Sequence, residues 1–337
     1  MASGILFLIL RTLNINIKVG TIMSTPRKAV VALGGNAITR EFEEGNIHQQ
    51  FANTRRSLVG VADLIQKGYL VAITHGNGPQ VGNALIRVED SRQKIPPIPL
   101  GVLVADLEGG MGYMIAQSLQ NKLHLRGVKR EVVTIVAQVI VAKNDPSILN
   151  PTKFIGPFYH EHEVKELERN RNWIIKYDEG RGWRRVVPSP IPLEIVEKKV
   201  IRSLVDSDVI VITVGGGGAP VYIEEDGTFE GVDSVVDKDR SAAILARDIG
   251  AQELYILTAV DKVALNYKKP NQVELDELSL EDAKKYLNEG QFPKGSMGPK
   301  IESAINFIES GGEVCIITST ERMTDAINGL TGTRIIK

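Results

Sequence analysis

Six short apolar runs, each rich in β-branched residues, most constrain what this chain can fold into. They occupy residues 28–33, 70–74, 132–136, 209–214, 254–258 and 314–318. Apolar runs of that length without polar alternation mark strands buried on both faces. Helical patterns lie between them, at 47–66 before the stop signal Gly68, at 237–249 and at 300–308. Strands alternating with helices predict an α/β fold with a mostly parallel sheet and helices on both sides. Residues 221–232 alternate about Asp226-Gly227, the signal of a hairpin.

One stretch breaks the rhythm. Residues from about 144 to 190 are charged and weakly patterned, carry both Trp173 and Trp183, and end in the prolines Pro188, Pro190 and Pro192. They read as a subdomain inserted into a body that spans 27–337. Residues 1–26 read as an extension outside the fold. Their apolar run, Gly4 to Leu10, is far below the roughly 20 residues of a membrane helix and lacks the marks of a signal peptide.

Composition narrows the class. Lys and Arg number 40 and Asp and Glu 41 in 337 residues, a formal charge of −1. That balance argues against a general nucleic-acid or membrane-surface binder. A single cysteine, Cys315, excludes an internal disulfide and points to a reducing, cytoplasmic setting. Cys315 itself reads as a small buried hydrophobe.

The glycines carry the functional signal. Gly34-Gly35-Asn36, Gly76-Asn77-Gly78, the four glycines from Gly215, and the segment from Lys294 to Lys300 are each expected after a strand. Loops after parallel strands collect at one sheet edge, where bare backbone N–H groups can hold an anion. Four such loops together predict a phosphate-rich ligand. No G-x-x-x-x-G-K-[ST] occurs, and Pro220 stands where a G-x-G-x-x-G would need its third glycine. Lys238 and Lys300, each beside an expected helix start, are placed to meet a phosphate as point charges. His160-Glu161-His162 reads as a solvated edge and not a metal site. For His75, contact with substrate and a hydrogen bond within its loop both stay open.

At these residues the chain resembles the carbamate kinase family, of the amino acid kinase superfamily. The motifs are ALGGNA (32–37), THGNGPQVG (74–82), NPTK-IGPFY (150–159), GRGWRRVVPSP (180–190), GGGGAPV (215–221), VDKD (236–239) and KGSMGPK (294–300). The resemblance covers the chain from about residue 28 to 337. It implies an open αβα sandwich with a small protruding subdomain, and reversible phosphoryl transfer between ATP and carbamate with Mg²⁺. It implies a homodimer, and a metal held through the nucleotide phosphates and not by the protein. By resemblance, Lys238 and Lys300 neutralise the transferring group, and Asp237 orients Lys238 or a metal-bound water. Lys153 reaches in from the subdomain, with Lys143 as its competitor. Gly34, Gly35, Asn36, Gly76, Asn77 and Gly78 hold the carbamoyl phosphate end, and Gly216, Gly217, Asp261 and Met297 the nucleotide.

Two segments depart from the family pattern. Thr258-Ala259-Val260 replaces T-D-V, and Ala105-Asp106-Leu107-Glu108-Gly109 replaces A-M-S-Q-G. They keep two alternatives open, a kinase for another small carboxylate and a non-catalytic nucleotide or carbamoyl phosphate sensor.

Overall fold

The computed structural model describes residues 26–337 except 41, 42, 172, 179–181 and 294. The expected extension, apart from Pro26, therefore lies outside the described residues, as do Gly180 and Arg181 of one motif and Lys294 of another.

An eight-stranded sheet organises the chain. In chain order its strands are β1 (Lys28–Leu33), β2 (Leu70–His75), β3 (Val132–Ile135), β4 (Ile210–Thr213), β5 (Glu253–Thr258), β6 (Glu277–Ser279), β7 (Val314–Ser319) and β8 (Thr333–Ile336). Their spatial order is β6-β8-β7-β5-β1-β2-β4-β3. The six apolar runs read from sequence form the six contiguous parallel strands from β7 to β3. Edge strand β6 and its neighbour β8 run the other way. They escape the sequence reading because neither is an unbroken apolar run: β6 reads Glu-Leu-Ser and β8 opens with Thr333 and Arg334.

Alternation along β1 shows the two cores. Val30 and Ala32 face the helices Lys198–Asp206, Lys238–Ile249 and Met297–Glu309, through Ile201, Ala242, Leu245 and Ile301. Ala29, Val31 and Leu33 face the helices Val59–Gln66 and Leu100–Leu125, through Val61, Ile65, Ile115 and Leu119. This is the αβα sandwich. Leu100–Leu125 gives no clear helical period in sequence because its apolar residues spread around most of its circumference.

Three expectations change. The helix at 47–66 divides into Ile47–Ser57 and Val59–Gln66 at Leu58. Ser57 Oγ donates to the Ala37 carbonyl at 2.6 Å, while Gly60 presses against Met323, so the two halves pack on different partners. The segment ending at Lys300 follows the helix Leu280–Asn288 and not a strand. Its helix begins at Met297, so Lys300 lies within the first turn and does not open it.

The hairpin forms as expected, Ala219–Ile223 against Phe229–Gly231, with Gly227 at φ +84° in its turn. It belongs to a second sheet with Gln138–Val141 and Pro192–Ile195. Beyond it, Lys153–Tyr159, Ile174–Asp178 and Gly182–Val187 make a three-stranded antiparallel sheet. The helix Glu161–Arg171 packs there through Val164 and Leu167, with Ile175, Trp173 and Trp183. Both tryptophans thus pack a small local core.

Candidate active site

The site gathers at the carboxyl ends of β1, β2 and β4, where an open α/β sheet presents its loops. Gly76 is the junction. A Cβ there would stand 3.2 Å from both the Gly35 nitrogen and Lys238 Cδ, so glycine lets the first two loops meet the lysine without crowding. Gly216, at φ +65°, has Asn77 lying on it; a Cβ would be 1.9 Å from Asn77 Nδ2. That amide is buried and has no hydrogen-bond partner among the described residues, so it remains available as a donor. The structure therefore brings Gly34, Gly35, Gly76, Asn77 and Gly216 together from three strands, with the Asn36 backbone in the turn Gly35–Ala37.

A helix start supplies the charge. Asp237 caps Lys238–Ile249, its carboxylate accepting from the Asp239 and Arg240 N–H groups at 3.0 and 3.4 Å. Ser241 Oγ of that helix donates to the Gly217 carbonyl at 2.8 Å and ties the third glycine loop to it. The Lys238 ammonium pairs with Asp239 Oδ1, and Lys300 Nζ binds Oδ2 at 2.8 Å. Asp239 is buried, and the Lys238 and Lys300 ammonium groups hold its carboxyl far below the usual range against the cost of burial. Burial pushes the Lys238 ammonium down from its ordinary value, opposed by Asp239.

The carboxylate that pairs with Lys238 and Lys300 is thus Asp239, where the resemblance had Asp237 orient Lys238. Local sequence gives no means of choosing between them, because Lys300 reaches Asp239 from 61 residues away. Asp237 instead faces the subdomain. Lys153 Nζ donates to the Val236 carbonyl at 3.0 Å and stands 3.7 Å from Asp237 Oδ2. Its pKa too is lowered, first by burial. Lys143 is bound at 2.7 Å to Glu224 on the hairpin and lies over the Tyr222 ring.

An apolar cavity of about 220 Å³ adjoins this cluster. Ala259, Val260, Tyr267, Phe292, Pro293 and Met297 line it, and Lys300 closes one side. Met297 comes from the KGSMGPK motif, whereas Tyr267 and Phe292 carry no motif and come from separate loops. Asp261 is exposed and outside the lining, its carboxylate accepting from Ser319 Oγ. His75 is buried, 3.3 Å from the Gly76 carbonyl through Nδ1, and burial pushes its pKa down to about 4. Its ring therefore makes the loop contact and stays neutral.

The profile of the amino acid kinase family matches residues 27–319. The carbamate kinase of Pyrococcus horikoshii is 46% identical over 312 residues, 92% of this chain and 99% of that protein. That of Thermococcus kodakarensis is 47% identical over 314 residues, again 92% of this chain and 99% of the relative. Among solved structures, carbamate kinase from Giardia lamblia bound to AMP-PNP is 41% identical with a TM-score of 0.87. The match covers 94% of this chain and 100% of that one. With this profile, these relatives and this sheet, the chain belongs to the amino acid kinase family, among its carbamate kinases.

Proposed function

We propose that the chain catalyses reversible phosphoryl transfer between ATP and carbamate. The observation that carries the reading is the double role of Lys300: its stem lines the apolar cavity and its ammonium joins Lys238 on Asp239. A nucleotide base in the cavity would direct its phosphates along Lys300 towards the glycine loops, where carbamoyl phosphate would sit.

In the direction of ATP synthesis, a β-phosphate oxygen of ADP attacks the phosphorus of carbamoyl phosphate. The bond from that phosphorus to the carbamate oxygen breaks, and carbamate leaves as an anion. No proton moves, so the step needs no general base, and phosphoryl transfer rests on positioning and charge stabilisation. Lys238 and Lys300 would neutralise the three equatorial oxygens. Asp239 would fix both ammonium groups beforehand, so that little reorganisation remains at the moment of reaction. The Asn77 amide and the N–H groups of Gly34, Gly35, Asn36 and Gly78 would hold the carbamoyl phosphate, with Gly76, whose N–H is given to the Leu33 carbonyl at 3.0 Å, supplying room and not a donor. Gly216 and Gly217 would flank the nucleotide phosphates. Lys153 would close over them from the subdomain, where exclusion of water protects a hydrolysable ligand.

Magnesium fits this site as a companion of the nucleotide. Both Asp239 oxygens are taken by lysines, and no group of three or more His, Cys, Asp or Glu among the described residues is set to hold an ion. The ion would supply further neutralisation of phosphate charge. A cytoplasmic setting goes with this reading, since the single cysteine is buried in β7 as a free thiol. No helix of the described residues is long and apolar enough to cross a membrane.

Ala259 lines the apolar cavity; with a nucleotide base there, that departure would bear on the nucleotide more than on the choice of carboxylate. The test is ATP formation from ADP and carbamoyl phosphate with Mg²⁺. No ATP from folded protein overturns the proposal.

A further inference from the structure

Glu108 is a buried carboxyl group that the reaction above does not use. It lies inside Leu100–Leu125 with 1% of its surface exposed. Its Oε2 accepts two backbone N–H groups, from Gly215 at 3.0 Å and from Ala137 at 3.2 Å. Oε1 has no hydrogen-bond partner among the described residues. Gly215 opens the third glycine loop, and Ala137 lies between β3 and the second sheet. Ala219, which follows the loop, donates to the Ala137 carbonyl at 2.9 Å. One carboxyl oxygen therefore anchors the loop to the strand pair that frames it.

Two titratable groups face this carboxyl from the surrounding elements. His75, at the end of β2, meets Glu108 over the same face of Gly215: a Cβ on Gly215 would be 2.3 Å from His75 Nε2 and 3.2 Å from Glu108 Cγ. Burial keeps that imidazole neutral down to about pH 4. Glu197 accepts from the Gln138 N–H at 2.8 Å and from its side-chain amide at 3.1 Å, and its charge opposes ionisation of Glu108. Burial outweighs the N–H groups of Ala137, Gly215 and Ala219 and pushes the Glu108 carboxyl up to about 8. The ionised form thus costs most where solvent is excluded and no cation answers it.

We propose that Glu108 is a positioning residue that braces the Gly215–Gly217 loop as a neutral acid and weakens nucleotide binding once its proton leaves. The proposal rests on the reading that this loop flanks nucleotide phosphates. As a neutral acid, Glu108 accepts the two N–H groups without placing negative charge beside a phosphate. Above pH 8 the same group presents an anion to an anion across a buried loop, where like charges repel strongly.

The experiment measures Mg-ADP binding by calorimetry from pH 6.5 to 9.5, so it does not depend on turnover. The wild type should weaken about tenfold over that range, the scale of one buried like-charge contact. Glu108→Gln keeps an acceptor oxygen for both N–H groups and cannot ionise, so it should match the wild type near pH 7 and lose the decline. Glu108→Leu removes the acceptor and should bind weakly at every pH. Identical profiles for the wild type and Glu108→Gln overturn the proposal. So does the absence of ADP binding at any pH.

Thermal melting of the free protein gives an independent check. The native state retains a proton that the unfolded chain releases, so wild type should lose stability relative to Glu108→Gln as pH rises from about 5 to 8. A constant gap overturns the brace. Normal ADP binding with no ATP synthesis overturns the carbamate kinase reading alone.

Discussion

The two ends of the central sheet are built on opposite principles. At the amino ends of the strands, polar groups satisfy one another. Glu253, the first residue of β5, accepts from Arg27 at 2.9 Å, from the Tyr69 hydroxyl at 3.1 Å and from the Tyr255 hydroxyl at 2.6 Å, while Arg27 also binds Glu313. At the carboxyl ends, two lysines share one carboxylate, a buried amide has no partner among the described residues, and glycines leave the backbone bare. A closed network contributes stability, because each buried polar group has its partner. An open one leaves donors directed at a ligand. The same strands thus carry a stabilising end and a binding end.

Mutations that separate activity from stability test this contrast. The largest effect falls on the binding end: Lys238→Ala or Lys300→Ala should lower kcat by about 10²–10³-fold, as removal of a preorganised charge does. The circular dichroism spectrum should remain native. An unchanged kcat removes these residues from the reaction.

Glu253→Ala should do the reverse. Three hydrogen-bonding groups lose their acceptor, at a cost of about 2–3 kcal/mol measured by denaturant titration. Its ATP synthesis at 25 °C should stay within twofold. A comparable loss of activity would mean that the two ends are not separable.

Asp239→Asn joins both properties, because it leaves two buried ammonium groups without a counter-charge. It should cost about 3 kcal/mol. The sign of its pH dependence is set by the depressed carboxyl. The wild-type advantage should be full above the ordinary carboxylate range and shrink as pH falls through and below it. Denaturant midpoints of both proteins from pH 3 to 7 decide this.

Smaller effects sharpen the map of the binding end. Met297→Ala should raise KM for ADP about tenfold with kcat little changed, the signature of lost uniform binding. Lys153→Ala should alter ATP synthesis, whereas Lys143→Ala, which breaks an exposed pair with Glu224, should leave it within twofold. A reversed ranking would move the subdomain lysine to Lys143.

Legibility in the sequence followed the range of each interaction. The six parallel strands were readable because burial on both faces writes an unbroken apolar run into each one. The loops with Gly34, Gly76 and Gly216 were readable because glycine after a strand is a local signal. Strands β6 and β8 were not readable because polar Glu277, Ser279, Thr333 and Arg334 interrupt any apolar run, and Leu58 divides a helical pattern that looks continuous in sequence.

The sequence by itself determined the strand–glycine rhythm and the residue types that meet phosphate, since these depend on neighbours in the chain. It also carried the motifs by which the chain resembles carbamate kinases. Only the tertiary structure decided that Asp239 holds both lysines, that Asp261 turns away to Ser319, and that Tyr267 and Phe292 share a cavity with Met297. Only the fold could also set Glu108 beneath Gly215, 107 residues away. The physical reason is one of range. Strand and turn signals come from local sterics and burial, whereas pairing of charges and shape of a cavity depend on which distant segments packing brings within a few ångströms.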